Sequence, residues 1–246
     1  MSTAAVAGRA RWTAERRFFT GLSLAALVVV YVGFARTFFL RPLFPEAPAP
    51  TEPFFLFHGV VFACWPVLLV LQTSLVGVGR VDVHRKLGAL GAVLATAMVV
   101  LGVTGALIAA DRPTGFVGLP VPPLQFLIVP IVDMLLFATC VALAVRRRRD
   151  AQAHKRWMIL GTASLLVAAV ARWPGVISIP NPLVFMGLAD LFVIALAVWD
   201  FRSRGRLHPV TLWGGLALII SQPLRLALSG TPAWLAIAAW ATSLVG

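Results

Sequence analysis

The chain has 246 residues, of which 60% are hydrophobic and 12% charged, with a mean hydropathy of +0.92. Soluble domains carry about 25% charged residues, so this composition excludes a water-soluble globule and a disordered chain. The apolar runs are continuous rather than alternating, which also excludes a membrane β-barrel. The formal net charge is +12, yet the basic residues sit in short loops between apolar runs. That charge speaks of topology and of anionic lipid headgroups on the cytoplasmic side, not of nucleic acid.

In chain order, a basic segment, 1–18, precedes the first apolar run. It begins like a signal peptide, but the run is long and no small-residue cleavage site follows, so it reads as an uncleaved first span. Apolar runs then recur at 19–35, 54–76, 87–109, 123–145, 157–172, 183–199 and 210–228. Most reach the ~20 residues that cross about 30 Å of hydrocarbon. The runs at 157–172 and 183–199 are slightly short and extend into their flanks. A final run, 232–246, reads as a short eighth span anchored by Trp234. The expectation is an all-α polytopic transmembrane helix bundle of seven or eight spans, a single unit over 19–246 with no soluble domain. Small residues from Gly88 through Gly102 to Ala109 recur four apart along the third span. That smooth face allows close helix approach and predicts a place near the centre of the bundle.

Sixteen of the 21 Lys and Arg residues fall in 1–18, 77–86, 146–156 and 200–209, including the run Arg146-Arg147-Arg148-Arg149. Only Arg36, Arg41, Arg112, Arg172 and Arg225 fall on the other side. By the positive-inside rule the N-terminus is cytoplasmic. Cys64 and Cys140 lie in apolar spans at different depths, which argues against a disulfide. No P-loop, GxSxG or strand-borne GxGxxG is present, so nothing points to a catalytic class.

Polar groups inside hydrocarbon carry the functional information, because each costs kilocalories unless paired or hydrated. His58, Asp133, Arg172, Asp190, Gln222 and Arg225 all fall in the outer half or near the middle of their spans. Facing inward, they would line a pocket open to the outer side, able to bind an anionic or zwitterionic ligand or to pass protons. The same residues also read as ion pairs of Asp133 and Asp190 with Arg172 and Arg225 that fix helix register. On the cytoplasmic side, His84, His154 and His208 could ligate a metal if the fold brings them together. Otherwise they cap helices and meet lipid phosphates. Haem b with His58 as single axial ligand is a further option, since no second histidine shares its depth.

Phe57-His58-Gly59 through Trp65 and Gln72 to His84-Arg85-Lys86-Leu87-Gly88 forms one recognisable pattern. His154-Lys155-Arg156-Trp157-Met158 with Arg172, and Ser221-Gln222-Pro223-Leu224-Arg225 followed by Trp234, complete it. Over about residues 50–240 the chain resembles uncharacterised multi-pass bacterial inner-membrane proteins, families of unknown function with histidines at span ends. The resemblance implies a membrane bundle in the bacterial inner membrane and no particular activity. It departs from b-type cytochromes with paired histidines on facing helices. Three functions stand open: binding or transport of a small ligand or protons through the outer pocket, a haem- or metal-binding redox protein, and a non-catalytic scaffold or assembly factor.

Overall fold

A computed structural model describes residues 13–48, 52–116, 121–176, 178, 179 and 181–245, which form helices and turns only. The basic stretch through Trp12, together with Pro50 and Pro120 of the loops, lies outside the described residues.

Among the described residues eight helices longer than a single turn follow one another: α1 (Ala14–Phe39), α2 (Pro53–Gly77), α3 (Val81–Asp111), α4 (Pro123–Arg146), α5 (Ala151–Val170), α6 (Pro182–Arg204), α7 (Val210–Ser229) and α8 (Pro232–Thr242). Their starts are written locally. Proline opens α2, α4, α6 and α8, where its missing N–H leaves no bond unmade. Side-chain oxygens of Thr13, Asp150, Asn181 and Thr231 cap α1, α5, α6 and α8, each satisfying an orphan N–H of the first turn. Gly79 (φ 83°) and Gly205 (φ 68°) supply the left-handed backbone that ends α2 and α6 in tight turns.

Six of these helices, α1 to α4, α6 and α7, are long and apolar enough to cross a membrane. The hydrophobic side chains left exposed fit that setting. On α3, Leu90, Val93 and Val100 are 64%, 68% and 60% exposed, as a lipid-facing surface requires. The chain therefore has the architecture of a multi-pass helical membrane protein.

The bundle is built around α5, not α3. Twelve of the 20 residues of α5 are buried, against seven of 31 in α3. The small residues of α3 do form a close-packing face, but only one face. Gly102 and Gly105 admit the side chains of α2 and α4, while the other side is open. Helix α5 is enclosed by α1, α4, α6 and α7, with Leu160, Ala163 and Leu166 fully buried. Its approach to α1 is so close that a Cβ at Gly33 would overlap the Ala169 carbonyl. Helix α8 has eleven residues, about 16 Å of helix, so as a straight segment it covers about half the hydrocarbon. It docks beside α4, where Trp234 Nε1 donates to the Leu124 carbonyl at 2.8 Å.

The turns α2–α3, α4–α5 and α6–α7 and the start of α1 gather at one end, called here the basic end. Contacts across it include Arg16 Nη1 to the Gly77 carbonyl (3.4 Å) and Arg204 Nη1 to Gln152 Oε1 (3.4 Å). The remaining turns gather at the opposite end.

Candidate functional site

A cleft of about 300 Å³ opens at the opposite end between α1, α2, α3, α4 and α5. Its walls are mostly aromatic and aliphatic, with Phe34, Phe38, Phe55, Phe62, Met98 and Met134 among them. Glycines of α3 make room for those walls. A Cβ at Gly102 would overlap the Met134 sulfur, and one at Gly105 would sit 3.2 Å from the Phe54 ring and 3.5 Å from His58 Nδ1.

Three of the six residues expected to share a pocket line this cleft: His58, Asp133 and Arg172. The His58 ring stacks on Phe62, centroids 4.0 Å apart and 14° from parallel. Its Nδ1 is 3.4 Å from the Leu101 carbonyl. Arg172 follows the last turn of α5. It donates from Nη1 to the Ala168 carbonyl at 2.7 Å and lies 4.9 Å above the Phe34 ring. Among the described residues it has no carboxylate partner. Arg112, which sequence reasoning left as an ordinary loop cation, also lines the cleft. It donates to Glu52 at 2.9 Å and lies 4.7 Å over the Phe55 ring, and its Nε is buried without a hydrogen-bond partner. The floor is closed by Trp65, whose Nε1 donates to Thr162 Oγ1 at 3.1 Å and whose ring meets Phe137 edge-on.

Asp190, Gln222 and Arg225 are not among the lining residues. Arg225 reaches from α7 to α4, donating to Asp133 Oδ1 at 2.5 Å and to the Val129 carbonyl at 3.2 Å. Gln222, one turn away, donates to Asp190 Oδ1 at 2.7 Å. Both bonds are buried and tie α7 to α4 and α6. The register-fixing reading therefore describes the Asp133–Arg225 pair, while Arg172 stands outside it.

At the basic end two of the three histidines meet. The His84 and His154 rings are edge to face with centroids 6.2 Å apart. His154 Nδ1 donates to the Ala144 carbonyl at 2.9 Å. With its amide nitrogen toward His84, Gln72 donates to His84 Nδ1 at 2.7 Å and accepts from the Gly88 N–H at 3.0 Å. His208 is engaged elsewhere. Its Nδ1 accepts from the Val210 N–H at 3.1 Å, and its own N–H donates to Asp200 Oδ2 at 3.1 Å. Burial first, then the Arg156 and Arg204 charges, hold its imidazole below the ordinary pKa, with Asp200 and Asp150 opposing. Among the described residues no group of three His, Cys, Asp or Glu side chains is placed to hold a metal ion.

The most enclosed charges were not expected as a pair. Arg156 of α5 and Asp200 of α6 are both fully buried. Arg156 Nε donates to Asp200 Oδ1 at 3.0 Å, and its Nη2 bonds the same carboxylate. Its Nη1 donates to the Gln152 carbonyl (2.8 Å) and Oε1 (2.7 Å). Thr211 Oγ1 adds a donor to Asp200 at 2.5 Å. Gln152 and Lys155 in turn bond Glu15 of α1. The signal was a charge at the inner edge of a span, which reads equally as a lipid contact.

Compared with protein-family models, curated proteins and solved structures, the chain matches none. Its class rests on the fold alone: an all-helical, multi-pass membrane bundle with a cleft at one end.

Proposed function

We infer that the protein binds a small ligand, or passes one, through the cleft at the end opposite the basic loops, and that it does so from the outer side of a bacterial inner membrane. The basic end is then cytoplasmic, with its arginines against anionic headgroups, and α5 is a seventh crossing shielded from lipid by its neighbours. One observation carries the reading. Arg172 and His58 stand beside open volume with donors not committed to carboxylates, whereas Arg156 with Asp200 and Arg225 with Asp133 are closed into buried ion pairs. Ligand sites are concave and mostly apolar, with a few placed polar groups, and about 300 Å³ is the lower end of their range.

Impermeant thiol labelling tests this. In a Cys64→Ser background, Thr37→Cys at the cleft should react only from the outer face, and Val78→Cys in the α2–α3 turn only from the cytoplasmic face. The reverse sidedness, or no reaction at Thr37→Cys, overturns the reading.

A metal-binding or haem redox reading keeps one supporting observation, the juxtaposed imidazoles of His84 and His154. Metal analysis and an optical spectrum of the purified protein decide it. A scaffold role stands if the cleft proves closed to solutes.

A further inference from the structure

Resting on the cleft being a binding site, we propose that its ligand is a single-chain amphiphile with an anionic head, held head-up at Arg172 with its chain descending between α2 and α3. The shape supports a chain. The lining runs along α2 from Phe55 to Pro66 and along α3 from Arg112 to Met98, about 16 and 21 Å at 1.5 Å per residue. The cleft thus reaches the middle of a hydrocarbon core about 30 Å thick within a volume of about 300 Å³.

The arrangement of polar groups supports the orientation. At depth, Thr162 accepts from Trp65 and donates to the Met158 carbonyl, and Asp133 holds Arg225. Thr162 Oγ1 and Asp133 Oδ1 are thus already engaged. At the mouth, Arg172 keeps guanidinium donors beyond its one bond to Ala168. Arg112 adds a buried Nε with no partner. A guanidinium fork matches a carboxylate or phosphate with two parallel bonds. Glu52 is salt-bridged to Arg112, so a cationic head at the mouth would meet two arginines.

The test reads the labelling rate of Thr37→Cys with the protein in phosphatidylcholine nanodiscs. Dodecanoate and dodecyl phosphate should slow labelling at least tenfold. Dodecanol, dodecyltrimethylammonium and acetate should not. Arg172→Gln should raise the half-protecting dodecanoate concentration at least tenfold, with Arg172→Lys between the two, at an unchanged thermal midpoint. Protection already present in nanodiscs containing lysophosphatidylglycerol, without added dodecanoate, would identify a single-chain membrane lipid as the source of the anionic head, whereas equal protection by two-chain phosphatidylglycerol overturns the single chain. Protection by dodecanol or the cation equal to that by dodecanoate overturns the anionic head, and protection by acetate alone overturns the chain. An Arg172→Gln variant that folds and is protected like the parent overturns the role of Arg172. Failure of Thr37→Cys to react in any nanodisc fails the cleft itself, which is a separate result.

Discussion

Two arginines on the same helix live in opposite circumstances. Arg156, at the basic end of α5, is fully buried and directs bonds to Asp200 and Gln152. Arg172, just past the other end, has one backbone carbonyl, one aromatic face and open space beside it. Both were placed in or near a greasy environment at a cost, and the structure recovers that cost differently. A closed network holds helices together and leaves no room for anything else. An incomplete set of bonds next to a cavity can be completed only by something that arrives.

The contrast can be broken first at the closed end. Asp200→Leu alone should destabilise by about 3–5 kcal/mol, because it strands a buried guanidinium. Adding Arg156→Met should restore most of that loss, read as the midpoint of unfolding in mixed micelles. If the double variant is no better than the single, the network does more than pair charges. Next in size, Asp133→Asn weakens the charge-assisted bond to Arg225 and should cost about 1.5–3 kcal/mol in the same assay. Gly33→Val forces a side chain into the Ala169 carbonyl and should cost about 1–3 kcal/mol as overpacking, separating α1 from α5.

A smaller effect follows from acidity. Because the folded pKa of His208 lies below the ordinary value, the unfolded chain binds its proton more readily. Stability is then complete above a pH of about 6.5 and falls as the pH drops below it, toward the folded pKa. Protonation at Nδ1 would also eject the Val210 N–H. His208→Asn retains an acceptor and should flatten that part of the pH profile of the thermal midpoint. Smallest of all on stability, Arg172→Gln should change it by less than about 0.5 kcal/mol. A cost approaching that at Asp200 would erase the distinction between the two ends.

Helix positions were largely legible from hydropathy. The run at 54–76 became Pro53–Gly77, and that at 210–228 became Val210–Ser229. Proline and capping residues marked the starts. The centre of the bundle was not legible. Small residues on α3 were a true packing signal, yet a smooth stripe does not say how many neighbours it meets. Helix α5 hid its role because His154, Lys155 and Arg156 read as loop charge, and only Asp200, 44 residues on, makes Arg156 an interior group. The polar set was half legible: His58, Asp133 and Arg172 do border one cleft. Spacing could not choose between two aspartates and two arginines, because the Asp133–Arg225 pair depends on how α7 rotates against α4. Arg112 was passed over because its position beside the cleft depends on where the loop after α3 folds.

The enclosure of α5 bears on how the chain is made. Among the described helices, α1 to α4 leave the ribosome before it and α6 to α8 after. Until it emerges, α1 and α4 have no mate for the faces they will turn to it, and Arg156 has no Asp200 until α6 follows. The least oily member of the set is thus the piece on which assembly waits, and a chain interrupted before α6 would hold a guanidinium in search of its carboxylate.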